Sequence, residues 1–301
     1  PIFRINEYWY GKYAYIYPVT SKNNTNMIEI PESATIGKQA SETLKGKRIA
    51  HVIESNSPHR FTFYNGDPAE YSNRLVGRTV LGAQGYGAFV DIFMDADTHL
   101  LIGDGTNMRY YTSAEKAPKK YQLMIVFEDD SFLAFTVSMY GSIYAFKGEF
   151  DNPYYQGSIH KLCPLDERFD KTYFISLIGN LKKDISAKAL LATEQRIPGL
   201  GNGVCQDILF NARISPKRKI STLSEEDIDR LFNTVKSTLE EMTRRGGRDT
   251  EKDLYGALGN YRTILSKNTY HDPCPVCGKR IQKEAYLGGS IYYCPHCQRE
   301  R

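Results

Sequence analysis

The stretch from Asp272 to Gln298, DPCPVCGKRIQKEAYLGGSIYYCPHCQ, carries two Cys-x-x-Cys knuckles, Cys274/Cys277 and Cys294/Cys297, with 16 residues between them. That spacing lets a short hairpin bring four thiolates round one tetrahedral ion, and the metal then supplies folding free energy that so small a segment cannot draw from an apolar core. The expectation is one structural Zn²⁺, because four sulfur ligands leave no open coordination position for catalysis. A redox pair or two disulfides is the competing reading of the same letters. Cys163 and Cys205 stand alone and read as small buried apolar residues in a reducing compartment.

Moving towards the N-terminus, IPGLGNGVCQDILF (197–210) joins helices predicted over 184–195 and 203–212. A Gly-x-Gly-Asn turn at a helix start can aim backbone N–H groups and the Asn202 side chain at a phosphate, since that end carries partial positive charge. Lys188, Arg196, Arg213, Lys217, Arg218 and Lys219 thicken a basic face that suits a polyanion backbone. An ordinary glycine loop beside a solvated helix explains this stretch equally well, and a lone Gly-rich motif is weak evidence. The clearest helix is predicted over 224–245. Ser224 caps it with Asp227 at N3, Ile228, Leu231, Phe232, Val235, Leu239 and Met242 share a face, and Gly246-Gly247 ends it.

Residues 48–150 run instead as short alternating segments: RIAHVIE, FTFYN, TVLGAQGYGAFVDIFMD, HLLIGDG, YQLMIVFED, SFLAFTV and SIYAFKG. Turn signals at Asn65-Gly66 and Asp129-Asp130-Ser131 separate them, which predicts an antiparallel β-sandwich or barrel. A helix over 32–47 with Gly46 as its cap precedes them. Before that helix stands NMIEIPE (26–32), with two carboxylates, Glu29 and Glu32, three residues apart. Such a pair suits acid/base cleavage of a glycosidic bond, but Pro31 and Glu32 suit the mere start of a helix equally well. Residues 1–26, Tyr-rich and then polar, read as a strand-like extension or tag with a flexible link.

A hydrophobic share of 41% and a charged share of 25% exclude fibrous and disordered classes, and a net charge of +4 permits a polyanionic partner without arguing for one. No run of about 18 apolar residues is present and no basic-then-apolar leader opens the chain, so the expectation is a cytoplasmic protein, nucleoid-associated if bacterial, with no membrane partner.

Taken in order, the MIEIPE start, the β-rich region, the helices around PGLGN and the four-Cys hairpin ending YYCPHCQ resemble the formamidopyrimidine-DNA glycosylase/endonuclease VIII (Fpg/Nei) family over about residues 27–299. The resemblance implies an α+β fold. It runs as an extension or tag over 1–26, an N-terminal antiparallel β-sandwich with a leading helix over 27–150, a helix-two-turns-helix domain over 151–265 and a zinc-finger hairpin over 266–301. It also implies a monomer that bends duplex DNA, flips out a damaged base, cleaves its glycosidic bond and often breaks the strand through a Schiff base.

Members of that family begin Met-Pro-Glu-Leu-Pro-Glu, and once the Met is removed the proline amine attacks the sugar C1′. Ile28 stands in that place here. By the same resemblance Glu29 matches the general acid and Glu32 the second carboxylate, while Asn202 and Lys188 match residues that grip phosphates. The β-hairpin lysine falls at Ala88 and the zinc-finger arginine at Gly289. The wedge that fills the void left by the flipped base falls at VSMYG (137–141), where Met139 and Tyr140 could insert. The lesion-capping loop falls within 246–262. Two functions follow as expectations: a monofunctional glycosylase in which Glu29 and Glu32 direct a water, or a non-catalytic clamp for damaged or abasic DNA. The motif pattern does not discriminate DNA from RNA.

Overall fold

In the computed structural model of the 301-residue chain, residues 7–8, 15–16, 27–113 and 116–299 are described. The reading of 1–26 as a linked extension lies outside them, apart from two short strands, β1 (Glu7–Tyr8) and β2 (Tyr15–Ile16), which pair antiparallel.

Helix α1 spans Ile30–Leu44, two residues earlier at its start than the periodicity predicts and three at its end. Pro31 sits in its first turn, where its missing N–H costs nothing, and the Glu32 side chain reaches back to the Glu29 N–H at 3.2 Å. Gly46 ends the segment at φ +85°. Ile36, Ala40 and Leu44 face the β-sandwich, whereas Ile30 enters the core of the helical half, so α1 belongs to both. Gly37 is needed because a Cβ there would lie 2.4 Å from the Gly85 nitrogen.

The strands form two facing sheets among the described residues. One runs in the order β4 (Thr62–Tyr64), β11 (Gly141–Lys147), β7 (Thr98–Ile102), β6 (Phe89–Met94) and β5 (Val80–Tyr86); the other runs β3 (Ile49–Glu54), β9 (Leu123–Phe127), β10 (Phe132–Val137) and β8 (Thr106–Tyr111). All pairs are antiparallel except β4 with β11. Val80, Ile92, Leu100, Leu123, Phe135 and Ile143 lie between the sheets.

Three local readings differ from the structure. The segment 79–95 is a hairpin that turns at Gly87 (φ +58°), not one strand. Strand β8, whose Thr106 and Met108 are buried, lies outside the predicted segments. Asn65-Gly66 does not join a hairpin: the Asn65 side chain bridges both backbone groups of Ala145, each at 2.8 Å, and the chain then enters α2 (Tyr71–Leu75).

The helical half contains α3 (Pro153–His160), α4 (Lys171–Gly179), α5 (Ala187–Ala192), α6 (Asn202–Asn211) and α7 (Glu225–Arg244). The last matches its prediction to within a residue, with Ser224 and Asp227 forming the capping box. Helix α5 is half its predicted length because Ser186 caps it three residues late and Glu194 and Gln195 take positive φ beyond its end. The unpredicted α3 and α4 are short, yet Asn152 followed by Pro153, and Asp170, are cap signals that could have marked them. Beyond them β12 (Gln282–Tyr286) and β13 (Gly289–Tyr293) form a hairpin that docks on α6. Gln206 donates to Ser290 O and accepts from the Tyr292 N–H, and Asp207 accepts from the N–H groups of Ile264 and Leu265.

Gly37→Ala tests the contact between α1 and β5. Helix propensity alone favours Ala by about 1 kcal/mol, but the approach to Gly85 should win. We expect a melting temperature lower by several degrees, at about 2–4 °C per kcal/mol; an unchanged or raised value would refute the contact.

Candidate active site

Glu29 is held at the junction of the two halves, 4% exposed. Its carboxylate accepts from the Gly203 N–H on Oε1 and the Val204 N–H on Oε2, both at 2.8 Å, so it sits on the N-terminus of α6. This corrects the reading of GLGNG as a phosphate cradle, because those N–H groups are occupied by a carboxylate of the protein itself. A negative charge at a helix start is favourable whichever molecule supplies it. The glycines serve the approach. A Cβ on Gly201 would stand 2.6 Å from the Glu29 carboxylate, and one on Gly203 would stand 1.6 Å from Nη1 of Arg248.

Arg248, 2% exposed, pins both carboxylates. Its Nε and Nη2 donate to Glu32 at 3.0 and 2.7 Å, its Nη1 lies 3.4 Å from Glu29 Oε1, and its Nη2 also reaches Met27 O. Glu32 further accepts from the backbone N–H groups of Arg248 and Glu29. Both Glu32 oxygens are engaged and the residue is 4% exposed. Of the two carboxylates expected to direct a water, Glu32 is bound as a strut joining α1 to the segment after α7. Sequence reading missed Arg248, since RGGRD looks like part of a variable capping loop.

Two more acids complete the cluster. The Ile28 N–H donates to Asp104 Oδ1 at 3.1 Å, and the Met27 N–H donates to Glu251 Oε2 at 2.8 Å. Burial, with the Glu29 charge adding to it, pushes Asp104 up to about 7. Burial also lifts Glu251 to about 7, opposed by Arg248 and aided by Glu32 and Glu29. Glu29 itself is raised by burial against the pull of Arg248 and the two amides. Asp104 lies in the connection between β7 and β8, at the end of HLLIGDG, which reads only as a strand segment.

The residues expected on the nucleic-acid side are largely engaged within the protein. The Lys188 ammonium donates to Tyr286 O at 2.6 Å, the residue is 2% exposed, and burial lowers its pKa, so in this state it ties the hairpin to α5 rather than offering a free cation. Asn202 Nδ2 donates to Ser290 O at 2.9 Å, its Oδ1 is buried without a partner, and Gly289 lies beside it.

Tyr140 turns inward, donating to Asp104 Oδ2 at 3.1 Å, while Met139 is half-buried. Arg213, at φ +58°, stacks its guanidinium 5.1 Å from the Phe210 ring. The predicted basic face is also partly neutralised, because Arg196 pairs with Glu194, Lys217 with Glu284 and Arg218 with Asp227.

The four knuckle cysteines do converge. Their sulfurs all lie within 4.8 Å of one another, with Cys274 to Cys297 at 3.8 Å and Cys277 to Cys294 at 3.5 Å, and none is in a disulfide. A tetrahedral ion with metal–sulfur bonds of about 2.3 Å requires edges of about 3.8 Å. The donor set and spacing thus fit a metal. Among the described residues no helix is long and apolar enough to cross a membrane.

Two family models match the chain: the formamidopyrimidine-DNA glycosylase N-terminal domain over residues 27–138 and the formamidopyrimidine-DNA glycosylase H2TH domain over 162–253. A formamidopyrimidine-DNA glycosylase of Listeria monocytogenes is 31% identical over 284 residues, covering 91% of this chain and 100% of its own. One from Geobacillus kaustophilus is 29% identical with the same coverage. In fold, the crystal structure of MutM (Fpg) from Thermus thermophilus superposes with a TM-score of 0.75 at 22% identity, over 91% of this chain and 99% of that one. Lactococcus lactis Fpg in complex with abasic-site DNA gives 0.77 at 22%, over 90% and 99%.

Arg248→Met removes the one guanidinium from this acid cluster. Stranding buried carboxylates typically costs about 3–5 kcal/mol. Carboxyls whose native pKa is raised stabilise most below their unfolded values near 4 and lose that contribution as pH rises through the native value. The variant's deficit in denaturant midpoint should therefore shrink from pH 8 to pH 5. An equal deficit at both would show that Arg248 does not balance these acids.

Proposed function

The chain belongs to the formamidopyrimidine-DNA glycosylase family, and from that premise we propose that it is a DNA repair enzyme that binds damaged duplex DNA, takes a flipped-out base and hydrolyses its N-glycosidic bond. The observation that carries the reading is the placement of Glu29. Its carboxylate is fixed by α6 at the junction where the β-sandwich, Asn202 and the cysteine hairpin meet. An extruded nucleotide entering there presents its sugar to a rigidly held carboxyl group, whose ionised form favours the positive charge that develops as the base departs.

Chemistry at residue 28 decides the type of glycosylase. The Ile28 nitrogen is a peptide N–H donating to Asp104, so its lone pair is delocalised into the amide and cannot add to C1′ to form an iminium. Without a covalent route through that nitrogen, water is the nucleophile and the product is an intact abasic site. Base loss without strand cleavage distinguishes this from the lyase chemistry that a free amine supports. We assign Glu29 the electrostatic role and Glu32, through Arg248, a positioning role.

Zinc on the four cysteines would hold the hairpin against α6 and so set Asn202 and its neighbours against the DNA backbone, a positioning contact rather than sequence readout. We take 27–150 as the β-sandwich domain, 151–265 as the helical domain and 266–301 as the finger of a monomer that works in the cytoplasm.

Duplex oligonucleotides bearing formamidopyrimidine, an oxidised pyrimidine or an alkylated base provide the test. Strand breaks should arise only after hot alkali, no borohydride-trapped complex should form, and Glu29→Gln should slow release by about 100-fold or more. Binding of abasic duplex with no base release from any substrate would leave only the clamp. Separately, a strong chelator should abolish duplex binding and Zn²⁺ should restore it; binding that survives verified metal removal would refute the positioning role of the finger.

A further inference from the structure

Glu29 alone does not complete a hydrolysis, because a water attacking C1′ must lose a proton to some base. Four carboxylates cluster at residues 27–29, with Asp104 on the Ile28 N–H, Glu251 on the Met27 N–H and Glu32 on the Glu29 N–H, and their accessibility separates them. Glu29 and Glu32 are 4% exposed and Glu251 is 7% exposed, whereas Asp104 is only half-buried. Glu29 is held by two amides and Arg248, and Glu32 by the bidentate guanidinium and two amides. Asp104 is bound without a cation. Oδ1 accepts the Ile28 N–H and Oδ2 accepts the Tyr140 hydroxyl, each at 3.1 Å, and the Gly105 N–H adds a third hydrogen bond, which leaves acceptor capacity on the carboxylate.

The carboxylate is also held rigidly. The Gly103 N–H donates to Ser142 O at 3.0 Å, and Gly105, at φ +80°, is pressed so closely on β11 that a Cβ would lie 2.1 Å from Tyr140 O. The connection between β7 and β8 thus fixes Asp104 from both sides, next to the one nitrogen that cannot itself serve as nucleophile.

We propose that Asp104 is the general base of this reaction, a further catalytic residue that takes the proton of the attacking water while Glu29 stabilises the sugar. This rests on the glycosylase reading above. In the step, the water oxygen bonds to C1′ as one of its protons passes to Asp104. The C1′–N bond breaks with its electron pair leaving on the base, which takes a proton from solvent, and Asp104 then returns its proton to solvent. One water is consumed, and no oxidant or reductant enters. A base is most effective when its pKa lies near the working pH, and burial beside Glu29 holds Asp104 at about 7. Its ionised, active form therefore grows in as pH rises through neutrality.

Single-turnover excision by the full-length wild type, Asp104→Asn and Tyr140→Phe, measured from pH 5 to 9 on a lesion duplex that the wild type processes, tests the assignment. Loss of a general base predicts a fall of about 100-fold or more for Asp104→Asn, with abasic-duplex binding retained and the acidic limb of the rate profile gone. Tyr140→Phe removes a hydrogen bond to the ionised form, so its acidic limb should move to higher pH. An Asp104→Asn rate within a few-fold of wild type overturns the assignment while leaving the glycosylase reading intact. If Asp104→Asn also loses duplex binding, the Tyr140→Phe profile decides, and an unmoved limb overturns it. A wild type that releases no base from any lesion overturns the glycosylase reading and this step together.

Discussion

The molecule turns on one buried carboxylate placed on the end of one helix. Glu29 leaves α1 and closes on the N-terminus of α6, so two elements separated by more than 170 residues in sequence are joined by two charge-assisted hydrogen bonds in a nearly dry setting. An unpaired buried charge would be prohibitive. Here the helix end, two amides and Arg248 share the task of compensating it. Because Arg248 also grips Glu32 and the Met27 carbonyl, the start of α1, the entry to α6 and the segment after α7 form one polar knot. The cysteine hairpin is docked on that same α6 through Asn202 and Gln206, so the placement of the acid and of the hairpin share one support.

Close packing around the knot explains letters that admit another explanation. Gly201 and Gly203 look like the glycines of an anion-binding loop, and they are, but the anion is a side chain of the same protein. Gly87 and Gly199 meet in the same way: a Cβ on Gly199 would stand 2.1 Å from the Gly87 carbonyl carbon, letting the tip of the β5–β6 hairpin touch the loop before α6. A sequence states that a backbone needs room; it does not state what occupies the room.

What could be read from sequence follows from the range of each interaction. Helix α7 and its cap are local, fixed by residues within four positions of one another, and both were legible. The convergence of the four sulfurs was legible too, because metal-ligand spacing is a covalent-scale constraint. The leading helix and the sandwich were legible as periodicity, although β8 lay outside the predicted segments and the short α3 and α4 were lost. Arg248 and Asp104 were not legible, since each acquires its role from partners 36 to 221 residues away. Lys188 was assigned from its place in a motif, and what its ammonium meets instead, the Tyr286 carbonyl, depends on how the hairpin docks.

Electrostatic balance then links the missing amine to the remaining chemistry. Glu29, Glu32 and Glu251 lie round the Arg248 guanidinium and Asp104 lies beside Glu29, and burial together with repulsion between these acids favours the protonated forms of Glu29, Asp104 and Glu251. Arg248 binds Glu32 through Nε and Nη2, and burial raises Glu29, Asp104 and Glu251, the last two to about 7. A positively charged amine at residue 28 would have relieved that repulsion and kept the acids ionised. With a neutral amide in its place, the same geometry leaves Asp104 raised to about 7 beside a Glu29 held by two amides and Arg248. Hydrolysis by water needs a proton acceptor beside a fixed carboxyl group, so the change from amine to amide removes one route through the site while preparing another.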